Sequence, residues 1–260
     1  MIVHANGINM RCQLDGAGPL VTLAHALGCD LSIWQALTQA LQSSFTVLSY
    51  DIRGHGGSAA PDGEYDFAQL VDDVVALQEA LGFARSHFVG LSLGGMIGQH
   101  FAIAQPQRLQ RLALVSTACR TPPHAEPMWR QRIAAARAEG MGAHVEGALQ
   151  RWFTPAWRAA HADTAAYIGG LVAATPVAGY CGCAAAIQGL DVCARLADIE
   201  APTLVLAGAE DAGMPPANGA AIAAAIPGAR FESVANASHL LCIEQQTLFN
   251  SRMLQFLSAA

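Results

Sequence analysis

Charge is scarce in this chain. Asp, Glu, Lys and Arg make up 13% of its 260 residues against 53% hydrophobic residues. Such a composition excludes a disordered, solvated chain, because it can bury enough apolar surface to offset the entropy of ordering. Basic runs are missing too: 14 Lys plus Arg against 20 Asp plus Glu leave a net charge of −6, so no phosphate-tracking surface and no nucleic-acid partner are expected. The sequence has no stretch of 18 uncharged apolar residues, and residues 1–7 lack the basic and long apolar parts of a secretory signal. The expectation is a cytoplasmic protein with no membrane partner. Cysteine is not scarce, but its seven copies are odd in number and scattered; they read as reduced buried thiols rather than a disulfide framework. Cys181-Gly182-Cys183 is too closely spaced for a zinc knuckle and has no second ligand pair nearby, so no metal is expected.

What is present is alternation. Short runs rich in Val, Leu and Phe at residues 20–26, 45–51, 87–92, 111–117, 203–208 and 230–235 end in small or polar residues, as buried parallel strands do when they deliver side chains to a sheet edge. Helical patterns lie between them at residues 66–81, 92–105, 218–226 and 246–257. The fold class expected is α/β, a mostly parallel doubly wound sheet. Residues 121–188 break the alternation: they open on Thr121-Pro122-Pro123, hold no convincing strand, and carry Trp129, Trp152, Phe153 and Trp157 among Ala-rich helical stretches. They read as a helical cap inserted into a core of residues 1–120 and 189–260, over the strand ends where ligands bind.

The chemistry concentrates at three places. Gly90-Leu91-Ser92-Leu93-Gly94 sits between a strand and a helix, which is the context a nucleophile elbow requires. Its glycines leave room for a strained turn that presents the Ser92 hydroxyl, and the Leu93 amide faces a developing oxyanion. A later strand runs into Glu210-Asp211; Asp211 is taken as the acid, with Glu210 the competing carboxylate. The last strand leads to Ser238-His239-Leu240, so a serine, an acid and a histidine follow in hydrolase order. His25-Ala26-Leu27-Gly28 follows an early strand. The Leu27 amide is the candidate second oxyanion donor, while His25 either shapes that loop or meets the substrate. Gly54-His55-Gly56-Gly57-Ser58-Ala59 has a dinucleotide-like spacing, but Pro61-Asp62-Gly63 stands where a phosphate-binding helix should begin, so no nucleotide and no other cofactor is expected. Asp51 and Arg53 are expected to pair or to brace this loop.

Together these segments resemble the α/β-hydrolase superfamily over nearly the whole chain. Within it, Leu31-Ser32-Ile33-Trp34, the extended elbow through Gln99, Trp129-x-x-Arg132-Ile133 and Arg151-Trp152-Phe153-Thr154-Pro155 are similar to 3-oxoadipate enol-lactonases. Two segments depart from that pattern: Ala24-His25-Ala26 stands where relatives commonly read Ser-Asn-Ser, and Gln246 where they commonly carry proline. The resemblance implies a serine hydrolase that opens a small enol-lactone through an acyl-enzyme, with Ser92, Asp211 and His239 as its triad. A butenolide with a carboxymethyl arm calls for a cation in an apolar pocket. Arg132 beside Trp129 is the candidate, with Trp152 and His25 as further substrate contacts; the competing reading is a solvated arginine over a core tryptophan. A general carboxylesterase or perhydrolase, a carbon–carbon hydrolase with the same triad, and a non-catalytic ligand receptor remain as alternatives, and homo-oligomer formation stays open.

Overall fold

The computed structural model describes residues 1–259. Eight strands, β1 (Ile2–Ala5), β2 (Ile8–Gly16), β3 (Leu20–Ala24), β4 (Thr46–Tyr50), β5 (Ser86–Leu91), β6 (Leu109–Val115), β7 (Thr203–Gly208) and β8 (Arg230–Val234), form one sheet in the order β1-β2-β4-β3-β5-β6-β7-β8. From β4 to β8 every neighbouring pair is parallel, and β2 alone runs against the rest, antiparallel to both β1 and β4. Six strands thus fall where the sequence pattern predicts them. The β1–β2 hairpin was not anticipated. Half of β2 is solvent-facing, which dilutes an apolar-run signal, but Asn6-Gly7, with φ of 45° and 75°, is the two-residue turn that joins such strands.

The helices in chain order are α1 (Gln35–Leu41), α2 (Phe67–Ala80), α3 (Leu93–Ala104), α4 (Glu126–Glu139), α5 (Val145–Trp152), α6 (Pro155–Ala160), α7 (Ala162–Ala174), α8 (Val177–Gln188), α9 (Pro216–Ala225), α10 (Leu241–Glu244) and α11 (Gln246–Leu257). Strand side chains alternate between the sheet faces. Leu112 and Leu114 of β6 join Phe88 in a layer with Leu70, Phe101 and Ile222 of α2, α3 and α9. Ala113 and Val115 turn the other way, toward Leu37 of α1 and Phe249 and Met253 of α11. Burial on both faces is what makes the central strands continuous apolar runs. No single helix among the described residues is long and apolar enough to cross a membrane; α7 and α8, which reach that length only together, meet at 91°.

Helices α4–α8 all lie between β6 and β7. The chain leaves and returns through a paired neck, in which Thr121 N–H donates to Leu190 O, Val192 N–H donates to Cys119 O, and Arg120 meets Asp191 at 3.1 Å. This neck corrects the expectation of seven reduced thiols. Cys119 and Cys193, 74 residues apart in sequence, are disulfide-bonded with Cα atoms 5.0 Å apart, because the insertion brings its two ends together. The other five cysteines are free and buried.

The loop after β4 is a brace, though Asp51 and Arg53 do not pair with each other. Asp51 accepts from Leu31 N–H, Gly57 N–H and Arg11, while Arg53 forms a buried pair with Asp73 of α2 at 2.5 and 2.8 Å. His25 and His55 pack edge to face beneath it, with centroids 5.2 Å apart. Burial holds their imidazoles near pKa 4 and 3 against an ordinary 6.5. The unfolded chain therefore takes up protons first as pH falls, and stability present above about 6.5 is lost progressively toward the folded-state values. Urea unfolding should show a lower midpoint at pH 5 than at pH 7.5; an unchanged midpoint would contradict this account.

Candidate active site

Ser92 stands between β5 and α3 with φ 54° and ψ −111°, a conformation that costs an L-residue free energy and persists only when its surroundings impose it. Three bonds do so. Ser92 N–H donates to Val115 O at 2.8 Å, and Ser92 O accepts from Thr117 Oγ1 at 2.8 Å and from Met96 N–H at 3.0 Å. The flanking glycines answer to contacts rather than to torsion. A Cβ on Gly90 would lie 2.2 Å from Gly94 O, and one on Gly94 would lie 2.0 Å from Ala24 O. The same close approach lets Gly94 N–H donate to His25 O at 3.1 Å, tying the loop after β3 to the start of α3.

That loop and the elbow leave adjacent strands β3 and β5, where the strand order reverses direction, so a crevice opens between them. Leu27 and Ser92 line it. Leu93 is the first residue of α3, and amides in a first helical turn lack intrahelical acceptors; together with the helix dipole they favour negative charge in front of Ser92.

Asp211 follows β7 and is buried. One of its oxygens, Oδ2, accepts from His239 Nδ1 at 2.7 Å, and Oδ1 accepts from Gly213 N–H at 2.9 Å and Met214 N–H at 2.8 Å. Three donors thus fix the carboxylate, which in turn sets the tautomer that leaves Nε2 of His239 free to accept a proton. Glu210, the competing acid, is exposed and gives its backbone N–H to Ala237 O.

His239 and Ser92 open onto one cavity of about 580 Å³. Trp129, Arg132 and Trp152, all anticipated, line its roof, with Trp152 stacked on His239 at 6.4 Å. His25 does not reach it. The ring is fully buried beneath the loop, Nδ1 donating to Ala26 O and Nε2 accepting from Ile52 N–H, so it shapes the loop and the expectation of a substrate contact is corrected. Sequence reading missed Arg151 and Tyr180, which also line the cavity. The signal for Arg151 was a cation set beside Trp152 and Phe153 in an aromatic segment.

No carboxylate lines the cavity among the described residues, whereas Arg120, Arg132 and Arg151 do. Arg120 is paired with Asp191, and Arg132 lies 5.2 Å over the Trp129 ring. Burial, with the charge of Arg132 adding to it, pulls Arg151 down to about pKa 10. It stays cationic at neutral pH, and its charge and that of Arg132 repel each other. An anion between them relieves that repulsion.

Residues 19–246 match the family described as the alpha/beta hydrolase fold, and the chain belongs to that family. Within it the chain is a hydrolase of enol-lactonase-like type. It is 33% identical to 3-oxoadipate enol-lactonase 2 of Acinetobacter baylyi over 89% of this chain and 86% of that protein. The enol-lactonase from Burkholderia xenovorans LB400 superposes with a TM-score of 0.96 at 36% identity, covering 100% of both chains. A hydrolase from Pseudomonas aeruginosa gives 0.95 at 40% identity over 100% of this chain and 98% of that one.

The two acids separate by substitution. Asp211→Asn should lower kcat by about four orders of magnitude, because it releases the His239 tautomer. Glu210→Gln should leave kcat within about twofold; steady-state kinetics on an aryl ester reads both.

Proposed function

We propose that the chain is a serine hydrolase that opens a small enol-lactone bearing a carboxylate arm, with Ser92 as nucleophile, His239 as general base and Asp211 as its orienting acid. The observation that carries the reading is the cation pair Arg132 and Arg151 in a carboxylate-free, largely apolar cavity shared with Ser92 and His239. It is supported by the bond from His239 to Asp211 and by the strained serine.

In this mechanism Ser92 Oγ attacks the lactone carbonyl and its proton passes to Nε2 of His239. The tetrahedral oxyanion sits on the Leu27 and Leu93 amides. Collapse breaks the ring C–O bond and expels an enolate, which takes the proton from His239 and tautomerises to the ketone. A water molecule then gives its proton to His239, attacks the acyl-serine and releases the acid with Ser92 restored. An enolate leaves more readily than an amine, so acylation needs less help from a general acid than amide cleavage would. Trp129 and Trp152 would flank the ring while the arginines take the carboxylate. Helices α4–α8 serve as a cap that excludes water from this chamber.

The competing assignment, a general carboxylesterase, has no use for the arginine pair. Kinetics on the carboxymethyl enol-lactone, its methyl ester and p-nitrophenyl acetate separate the two. The charged lactone should exceed its methyl ester in kcat/KM by about tenfold or more, the worth of one charge-assisted hydrogen bond. Arg151→Ala and Arg132→Ala should each erase that preference mainly through KM. A charged lactone turned over no faster than the aryl ester would leave the esterase assignment standing.

A further inference from the structure

Four carboxylates are buried among the described residues: Asp51, Asp73, Asp211 and Glu244. The first two hold arginines and the third holds His239. Glu244 forms no ion pair among the described residues. Its two oxygens are each occupied by a backbone amide: Oε1 accepts from Thr154 N–H at 2.7 Å and Oε2 from Ser238 N–H at 2.5 Å. Burying a carboxylate is costly unless its hydrogen bonds are made. Here they join two segments 84 residues apart, one in the insertion and one beside the candidate base.

Three more contacts run along the same seam. Ser238 Oγ donates to Arg151 O at 3.0 Å, Leu240 N–H donates to Trp152 O at 3.1 Å, and the Trp152 ring stacks on His239. The residues on both sides of His239 are therefore bonded to Arg151 and Trp152, which also line the cavity. Thr154 begins α6 and caps it through its own hydroxyl, so the amide that Glu244 receives belongs to a fixed helix start rather than to a free loop. The Asp211 side is tied in as well, since Ser238 Oγ also lies 3.5 Å from Glu210 O.

We propose that Glu244 is a positioning residue that clamps the His239 loop to the insertion, so that the seating of the cap sets where the imidazole stands relative to Ser92. It touches no reacting atom. The role rests on the serine-hydrolase reading, in which a displacement of the base by about 1 Å costs up to about 100-fold in rate.

Glu244→Gln keeps the shape but turns one acceptor into an NH2 group, so one amide loses its partner. On an aryl ester its kcat should fall about 10- to 100-fold with KM within about threefold, and fluorophosphonate labelling of Ser92 should slow in proportion. The downfield proton resonance of His239 Nδ1–H, shared with Asp211, should broaden even where circular dichroism shows a folded protein. A purely structural role would lower the melting temperature and leave the resonance and the labelling rate of the folded fraction unmoved. If Glu244→Gln does not fold, Ser238→Ala, which removes the hydroxyl contacts to Arg151 O and Glu210 O and keeps the Ser238 amide bond to Glu244, should still slow labelling by about threefold or more. Wild-type labelling with an equally reactive folded Glu244→Gln, or with an equally reactive Ser238→Ala, overturns the positioning role alone. A wild-type protein that the reagent does not label overturns the hydrolase reading and this role with it.

Discussion

Ser92 has to be held in a backbone conformation that an L-residue rarely occupies, and much of the molecule is arranged to hold it. Its N–H is tied to Val115 O and its carbonyl to Thr117 and Met96, so the turn depends on the pairing of the central strands β5 and β6. Gly90 and Gly94 follow from that packing, since side chains there would strike backbone atoms. So does the bond from Gly94 N–H to His25 O, which sets the loop carrying Leu27 against the elbow. Strain at one residue is thus supported by a buried sheet, and a hydroxyl is left at the floor of a crevice.

Electrostatics divides the molecule unevenly. The chain carries a net charge of −6, yet the cavity beside Ser92 has arginines and no carboxylate among the described residues. Two guanidiniums kept near each other without an acidic partner in the cavity raise the free energy of the empty state, and an anionic ligand lowers it. This is the reverse of the usual handling of a partly buried cation, which is paired within the protein, as Arg53 is with Asp73. The contrast between these arginines is the strongest physical reason to look for an anionic substrate.

The inserted helices are more than a cover. Their neck is closed by the Cys119–Cys193 disulfide and by backbone pairing, and at the far side residues 151–154 bond to both neighbours of His239. The cavity wall and the His239 loop are in this way one packed unit. A change in the cap is expected to reach the chemistry as well as binding, through the proposed clamp at Glu244.

Much of this was legible in the chain itself. Runs of Val, Leu and Phe ending in small or polar residues located six strands, because burial on both faces leaves strands no other composition. The elbow was legible because few residues other than glycine tolerate such close backbone contacts. Asp211 and His239 were legible as candidates by their positions after the seventh and eighth strands; Asp211 was preferred to its neighbour Glu210, and burial and the bond to His239 now set the two apart. The hairpin at the amino terminus escaped because a half-exposed strand carries a weak apolar signal.

Local chemistry written along the chain therefore determined the order of strands and helices, the strained serine turn and the candidate nucleophile, acid and base, since each depends on near neighbours in sequence. Only the tertiary structure decided what His25 faces, which cysteines pair, which arginines share the cavity and what Glu244 holds. Those outcomes depend on distances between segments tens of residues apart, and a linear sequence does not contain distances that folding alone creates.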